Sequence, residues 1–84
     1  MAESIKGKRV KDWTDEQLAE HFGRLVREAE EHEDSGSQYE FPKRGIMIAI
    51  EREMLQRMFD RNPSQFLDAE GRIPVWMRNL GVTA

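Results

Sequence analysis

The stretch from residue 45 to residue 61 constrains the fold most, because it predicts a helix with an unusually broad apolar face. It contains no proline, and its only glycine is its first residue. At about 100° per residue, its apolar side chains cover roughly half of the helical circumference. These side chains are Met47, Ile48, Ile50, Met54, Leu55, Met58 and Phe59. A surface helix usually buries a stripe of about 100°, so we expect this one to pack against more than one neighbour.

Glu51 interrupts this apolar face. A carboxylate among apolar side chains must reach water, meet a cation or a hydrogen-bond donor, or be protonated. The ordinary interpretation is a partner from a packed element, and the alternative is a polar specificity element in a protein interface. A catalytic role is disfavoured, because the sequence shows no second residue to work with Glu51. The predicted interface consists of Met47, Glu51, Met54, Leu55 and Met58.

The acidity of the chain is concentrated in one segment. The 84 residues carry a net charge of −3, yet residues 14–34 hold eight Asp and Glu against two Arg. The densest part is an acidic run near the end of the first predicted helix, which is either a solvated face or a docking surface for a basic partner. Its acids are Glu28, Glu30, Glu31, Glu33 and Asp34.

The basic residues predict a weaker alternative, contact with nucleic acid. Residues 1–12 are nearly devoid of apolar side chains and are predicted to form a flexible basic arm. The candidate contacts are Lys6, Lys8, Arg9, Lys11, Lys43 and Arg44. Arg52, Arg57 and Arg61 of the central helix would support a recognition helix. Acids between these arginines would face phosphates, and the net acidity also disfavours nucleic-acid binding.

The first helix has a well-defined predicted start. Thr14 is a good N-cap, and Gln17 three residues later completes a capping box. Trp13 and Leu18 have the spacing of a hydrophobic staple around that cap. The helix is predicted to run to about Glu33.

Two short helices are predicted near the C-terminus. Asn62 is expected to cap the first, with Pro63 in its first turn. The second covers residues 73–80 and is expected to place Trp76 and Leu80 in the core. Gly81 is predicted to end this helix.

The residues that usually carry catalysis or bind metals are sparse. There is no cysteine, no serine lies in a nucleophile elbow, and no glycine-rich phosphate loop is present. His21 and His32 would stand about 16 Å apart along one helix, too far to share a metal ion. We therefore expect no catalytic residues, no metal and no cofactor.

The hydropathy pattern predicts neither a membrane span nor a secretory signal. No apolar run approaches the roughly 18 residues that a spanning helix needs, and the first residues are polar. The absence of cysteine is compatible with a reducing compartment. The expected location is the cytoplasm.

Together these patterns predict an all-α protein with one helical domain at residues 13–84 and a flexible arm at residues 1–12. The two longer helices form a hairpin, and one or two short C-terminal helices close over it. The broad apolar face predicts a homodimer or a groove for another protein. The expected function is that of a small non-enzymatic regulatory or accessory protein acting through protein contact. The alternative is a small DNA-binding regulator.

Overall fold

The computed structural model describes residues 7–84, and within this range the chain contains helices and no strand. The helices are α1 (Asp15–Asp34), α2 (Arg44–Arg61) and the short α3 (Val75–Asn79). Two short 3-10 helices lie at Val10–Asp12 and Pro63–Gln65. The all-α prediction is confirmed, with two longer helices followed by short C-terminal ones.

The start of α1 follows the predicted local pattern. The Thr14 hydroxyl accepts a hydrogen bond from the Gln17 backbone N–H at 3.1 Å, and the Gln17 side-chain oxygen accepts one from the Thr14 N–H at 2.9 Å. Trp13 and Leu18 on either side of the cap are both buried in one cluster. The predicted capping box is therefore confirmed, and α1 ends one residue beyond the expected Glu33.

The start of α2 is set by a turn before Gly45. The Arg44 N–H donates to the Phe41 carbonyl at 3.1 Å, with Pro42 at the second position of the turn, where its fixed φ angle is favourable. The helix therefore begins at Arg44, and Lys43 holds the cap position without a side-chain hydrogen bond. Gly45 therefore lies inside the first turn of the helix.

Two separate apolar clusters use opposite sides of α2. In the first, Ile50 packs with Trp13, Leu18 and Leu25 of the N-terminal part of the chain. The second contains Phe59 with Met77 and Val82 of the C-terminal part. Ile50 and Phe59 are nine residues apart, which is about half a turn beyond two full turns at 100° per residue. The expectation that the broad face packs against more than one neighbour is confirmed.

The C-terminal part differs from its prediction in which side chains are buried. Trp76 is 56% exposed, whereas Met77 and Val82 are fully buried. Gly81 has φ +98°, a conformation that favours glycine, and the Val82 N–H donates to the Met77 carbonyl at 3.1 Å. This turn folds Val82 back onto the cluster and leaves Trp76 outside. The predicted burial of Trp76 was wrong.

The two short helices are also shorter than predicted. The segment after α2 forms only the three-residue 3-10 helix at Pro63–Gln65, and α3 has five residues. Asn62 makes no capping hydrogen bond. Its side chain instead accepts from the Ser64 hydroxyl and donates to Gln65.

The last residues of the predicted arm contact the helical body. Val10 packs against the first cluster, and the Lys11 carbonyl accepts a hydrogen bond from Arg57 at 3.1 Å. The Lys8 carbonyl accepts one from the Trp13 ring N–H at 3.3 Å. Lys6, another predicted arm residue, lies outside the described residues.

Candidate interaction surface

A strip of α2 lies between its two packed sides. Relative to Ile50 and Phe59, which point in opposite directions, Glu51 lies close to a right angle on the helical wheel. Ile48 and Met58 flank it one turn and two turns away and are 38% and 46% exposed. We call Ile48, Glu51 and Met58 the α2 strip. It is the part of the broad apolar face that neither cluster covers.

The five predicted interface residues divide between this strip and the protein's own cores. Met47 and Met54 pack against the first cluster, and Leu55 packs against the second. Glu51 and Met58 remain on the strip. Glu51 is partly exposed, and its carboxylate makes no hydrogen bond or ion pair with another residue in 7–84. The strip also includes Ile48, which lies on the predicted apolar face but was not selected as an interface residue.

The start of α1 and the end of α2 are joined by an ion-pair cluster. Asp15 accepts hydrogen bonds from Arg57 at 2.9 Å and from Arg61. Arg57 also donates to Glu53 at 3.2 Å, one turn earlier on α2. The Arg57 side chain is only 21% exposed, so these carboxylates surround a largely covered guanidinium.

The charges in this cluster change one another's proton affinity. Hydrogen bonds from Arg57 and Arg61 lower the pKa of Asp15 below its usual value. Partial burial lowers the pKa of Arg57, but hydrogen bonds to Asp15 and Glu53 outweigh that effect and raise it overall. Asp15 and Arg57 are therefore both charged near neutral pH, and their ion pair acts as a clamp rather than as a proton donor or acceptor.

Of the five acids in the run at the end of α1, only Glu28 has an ion-pair partner within residues 7–84. Glu28 is partly buried, and its carboxylate forms an ion pair with Lys43 at an Oε2–Nζ distance of 3.1 Å. The other four acids of the run are exposed: Glu30, Glu31, Glu33 and Asp34. On the same stretch, His32 hydrogen-bonds the Tyr39 carbonyl at 2.7 Å and its ring lies against Phe41. Through these two contacts, His32 holds the loop between α1 and α2 against the end of α1.

Several basic candidates already have acidic partners. Lys43 pairs with Glu28, and Arg44 pairs with Glu40 at 3.4 Å. Lys8, Arg9 and Lys11 are exposed. The structure thus brings one basic candidate, Lys43, onto the acidic run and not into a basic patch.

A cavity of about 610 Å³ opens at the C-terminal end of α2. Its walls come from α2, the 3-10 helix that follows, the loop before α3, and α3. The lining residues are Phe59, Asp60, Pro63, Leu67, Gly71, Arg72, Ile73, Arg78 and Ala84. The sequence patterns did not indicate this cavity, because its lining residues are scattered over 26 positions of the chain.

Two further findings limit the chemistry of the described residues. Residues 7–84 contain no group of three or more His, Asp or Glu side chains placed to hold a metal ion. None of the helices in this range combines the length and hydrophobicity that crossing a bilayer requires.

Comparisons with protein-family models, with curated proteins and with solved structures found no match. The function proposed for this chain therefore rests on its own residues and their geometry.

Proposed function

We propose that this protein is a small non-enzymatic regulatory or accessory protein that acts through protein contact and forms a homodimer through the α2 strip. The observation that supports this proposal is the exposure of Ile48 and Met58 on the broad apolar face of α2, where Met47, Met54 and Leu55 are already packed. Exposed apolar side chains clustered on one face are typical of interaction surfaces. A chain of this length also has a small core, so it gains stability from association.

The charges on and beside the α2 strip favour a second copy of this chain as the molecule that binds there. Glu51 and the adjacent Arg52 have opposite charges, and neither makes an ion pair within residues 7–84. In an antiparallel pair of α2 helices centred midway between Ile48 and Met58, Glu51 of one copy and Arg52 of the other lie about 5 Å apart along the axis. Each copy thus provides the counter-charge for the other, as a two-fold interface requires.

The nucleic-acid alternative receives less support. Arg57 and Arg61 of the central helix both pair with Asp15, and an ion-paired guanidinium gains less from a phosphate. Lys43 and Arg44 also have carboxylate partners. Binding to duplex DNA that weakens steeply with salt would favour this alternative over protein contact.

To test the homodimer, we compare two isoleucines of α2 that are almost equally exposed, only one of which lies on the strip. Ile48 lies on the strip and is 38% exposed, whereas Ile46 is 39% exposed and lies outside it on the helical wheel. We expect wild type to be a dimer by light scattering across a dilution series. Ile48→Lys should produce monomers, because a charge on the strip opposes its burial. Ile46→Lys should leave the dimer intact.

Both variants should retain the helical content of wild type by circular dichroism, since both sites are partly exposed. Met58→Lys, at the other end of the strip, should reproduce the effect of Ile48→Lys. A wild-type monomer at every concentration, or equal effects of the lysines at 46 and 48, would show that the strip does not join two copies.

A further inference from the structure

The cavity at the end of α2 combines apolar walls with an arginine, Arg78, whose side chain has no partner among the described residues. Its volume of about 610 Å³ lies within the range typical of small-molecule sites. Phe59, Leu67 and Ile73 line it, and all three belong to the second apolar cluster. The cavity is therefore an opening beside a packed core, and its wall is formed by side chains that this core holds in place.

Three charged side chains line the same cavity, and two of them already have a hydrogen-bond or ion-pair partner. Arg72 is ion-paired with Glu70, and Asp60 accepts a hydrogen bond from Gln56 at 3.0 Å. The Arg78 side chain makes no hydrogen bond or ion pair with the rest of residues 7–84. Because Glu70 already compensates the charge of Arg72, Arg78 is the lining arginine that is left to meet a ligand. The Arg78 guanidinium has its donors available for an anion.

We propose that this cavity binds a small amphipathic anion. The apolar body of such a molecule lies against Phe59, Leu67 and Ile73, and its carboxylate or sulfonate accepts hydrogen bonds from Arg78. Removal of the apolar body from water drives binding, and the charge-assisted hydrogen bond selects anions over neutral or cationic molecules of the same shape. This site uses none of the three residues of the α2 strip, so it does not depend on self-association.

A pair of fluorescent probes tests this proposal on the full chain. Anilinonaphthalene sulfonate and phenylnaphthylamine share an aromatic body, but only the first carries a sulfonate. We expect the sulfonate probe to bind saturably with one site per chain. Arg78→Gln should weaken its binding about threefold to tenfold, the scale of one charge-assisted contact at a partly exposed site. The same substitution should leave the uncharged probe's affinity unchanged.

Three control variants distinguish probe binding in this cavity from nonspecific binding elsewhere on the protein. Arg78→Lys keeps the positive charge and should recover most of the affinity for the sulfonate probe. Arg24→Gln removes an exposed arginine of α1 that does not line the cavity, and it should have no effect. Met58→Lys alters the α2 strip and should also leave probe binding unchanged.

Several outcomes would overturn the proposal: binding that does not saturate, equal effects of Arg78→Gln and Arg24→Gln, or equal loss of both probes. Loss of probe binding in Met58→Lys would place the probe on the α2 strip and would likewise overturn it. Light scattering on Arg78→Gln reports self-association separately, so failure of one proposal is not confused with failure of the other.

Discussion

At the scale of single residues, the contact between Asp15 and Arg57 connects positions that are 42 apart in sequence. Asp15 stands in the first turn of α1, where a negative charge also suits the helix dipole. Arg57 additionally donates to the Lys11 carbonyl. One guanidinium thus holds the segment before α1, the start of α1 and its own helix together.

We predict that Asp15→Asn destabilises the protein more than Glu16→Gln near neutral pH. Both substitutions remove one negative charge from the first turn of α1, but only Asp15 meets Arg57 and Arg61. Because folding lowers the pKa of Asp15 from 3.8, its ion pairs stabilise the fold above that pH. This contribution is lost as the pH falls through the folded-state pKa. Urea unfolding of both variants from neutral to acidic pH measures the difference.

The difference in stability between the two variants should therefore narrow on acidification. A difference that stays constant from neutral to acidic pH would mean that the charge of Asp15 does not contribute through these arginines.

At the scale of elements, the orientation of α3 is set by neighbours that lie far away in sequence. The helix has only five residues, too few to show a helical period. Both Trp76 and Met77 are large and apolar, so either face is plausible from composition. Phe59 of α2 and Val82 after the Gly81 turn select the face that carries Met77.

We predict that two neighbouring alanine substitutions in α3 change stability by very different amounts. Met77→Ala should lower the free energy of unfolding by about 2–5 kcal/mol, because it leaves a cavity in the second cluster. Trp76→Ala should change it by about 0.5 kcal/mol, as expected for a side chain largely in solvent. Chemical denaturation followed by far-ultraviolet circular dichroism measures both, and a larger loss for Trp76→Ala would contradict the observed orientation.

At the scale of the whole molecule, one helix carries two small cores. The radius of gyration is 15.0 Å, larger than the roughly 12 Å of a compact chain of this length. The long dimension of the molecule is 44 Å and the short one is 17 Å. This elongated shape follows from packing on opposite sides of α2, and it leaves the α2 strip open between the two clusters.

We predict that the two clusters unfold together. Neither is large enough to be stable alone, and both require α2 to remain helical, so loss of either removes support from the other. In a Trp76→Phe variant, Trp13 fluorescence reports the first cluster and circular dichroism reports all helices. The two denaturation curves should coincide, whereas separate midpoints would show that the clusters are independent units.

The sequence alone determined the features that depend on near neighbours along the chain. The capping box of Thr14 and Gln17 involves residues three apart, and the broad face of α2 follows from a local period. The all-α class and the two long helices could therefore be predicted. The limits of α2 were predicted to within one residue for the same reason.

Only the tertiary structure decided which apolar residues remain exposed. Local periodicity identified the broad face of α2, but it could not separate Met54, which packs in a core, from Met58, which does not. That choice depends on where α1 and the C-terminal segment lie, and the clamp of Asp15 on Arg57 and the turn at Gly81 help to place them. The cavity beside Arg78 arises in the same way, because its walls meet only after the chain has folded back on itself.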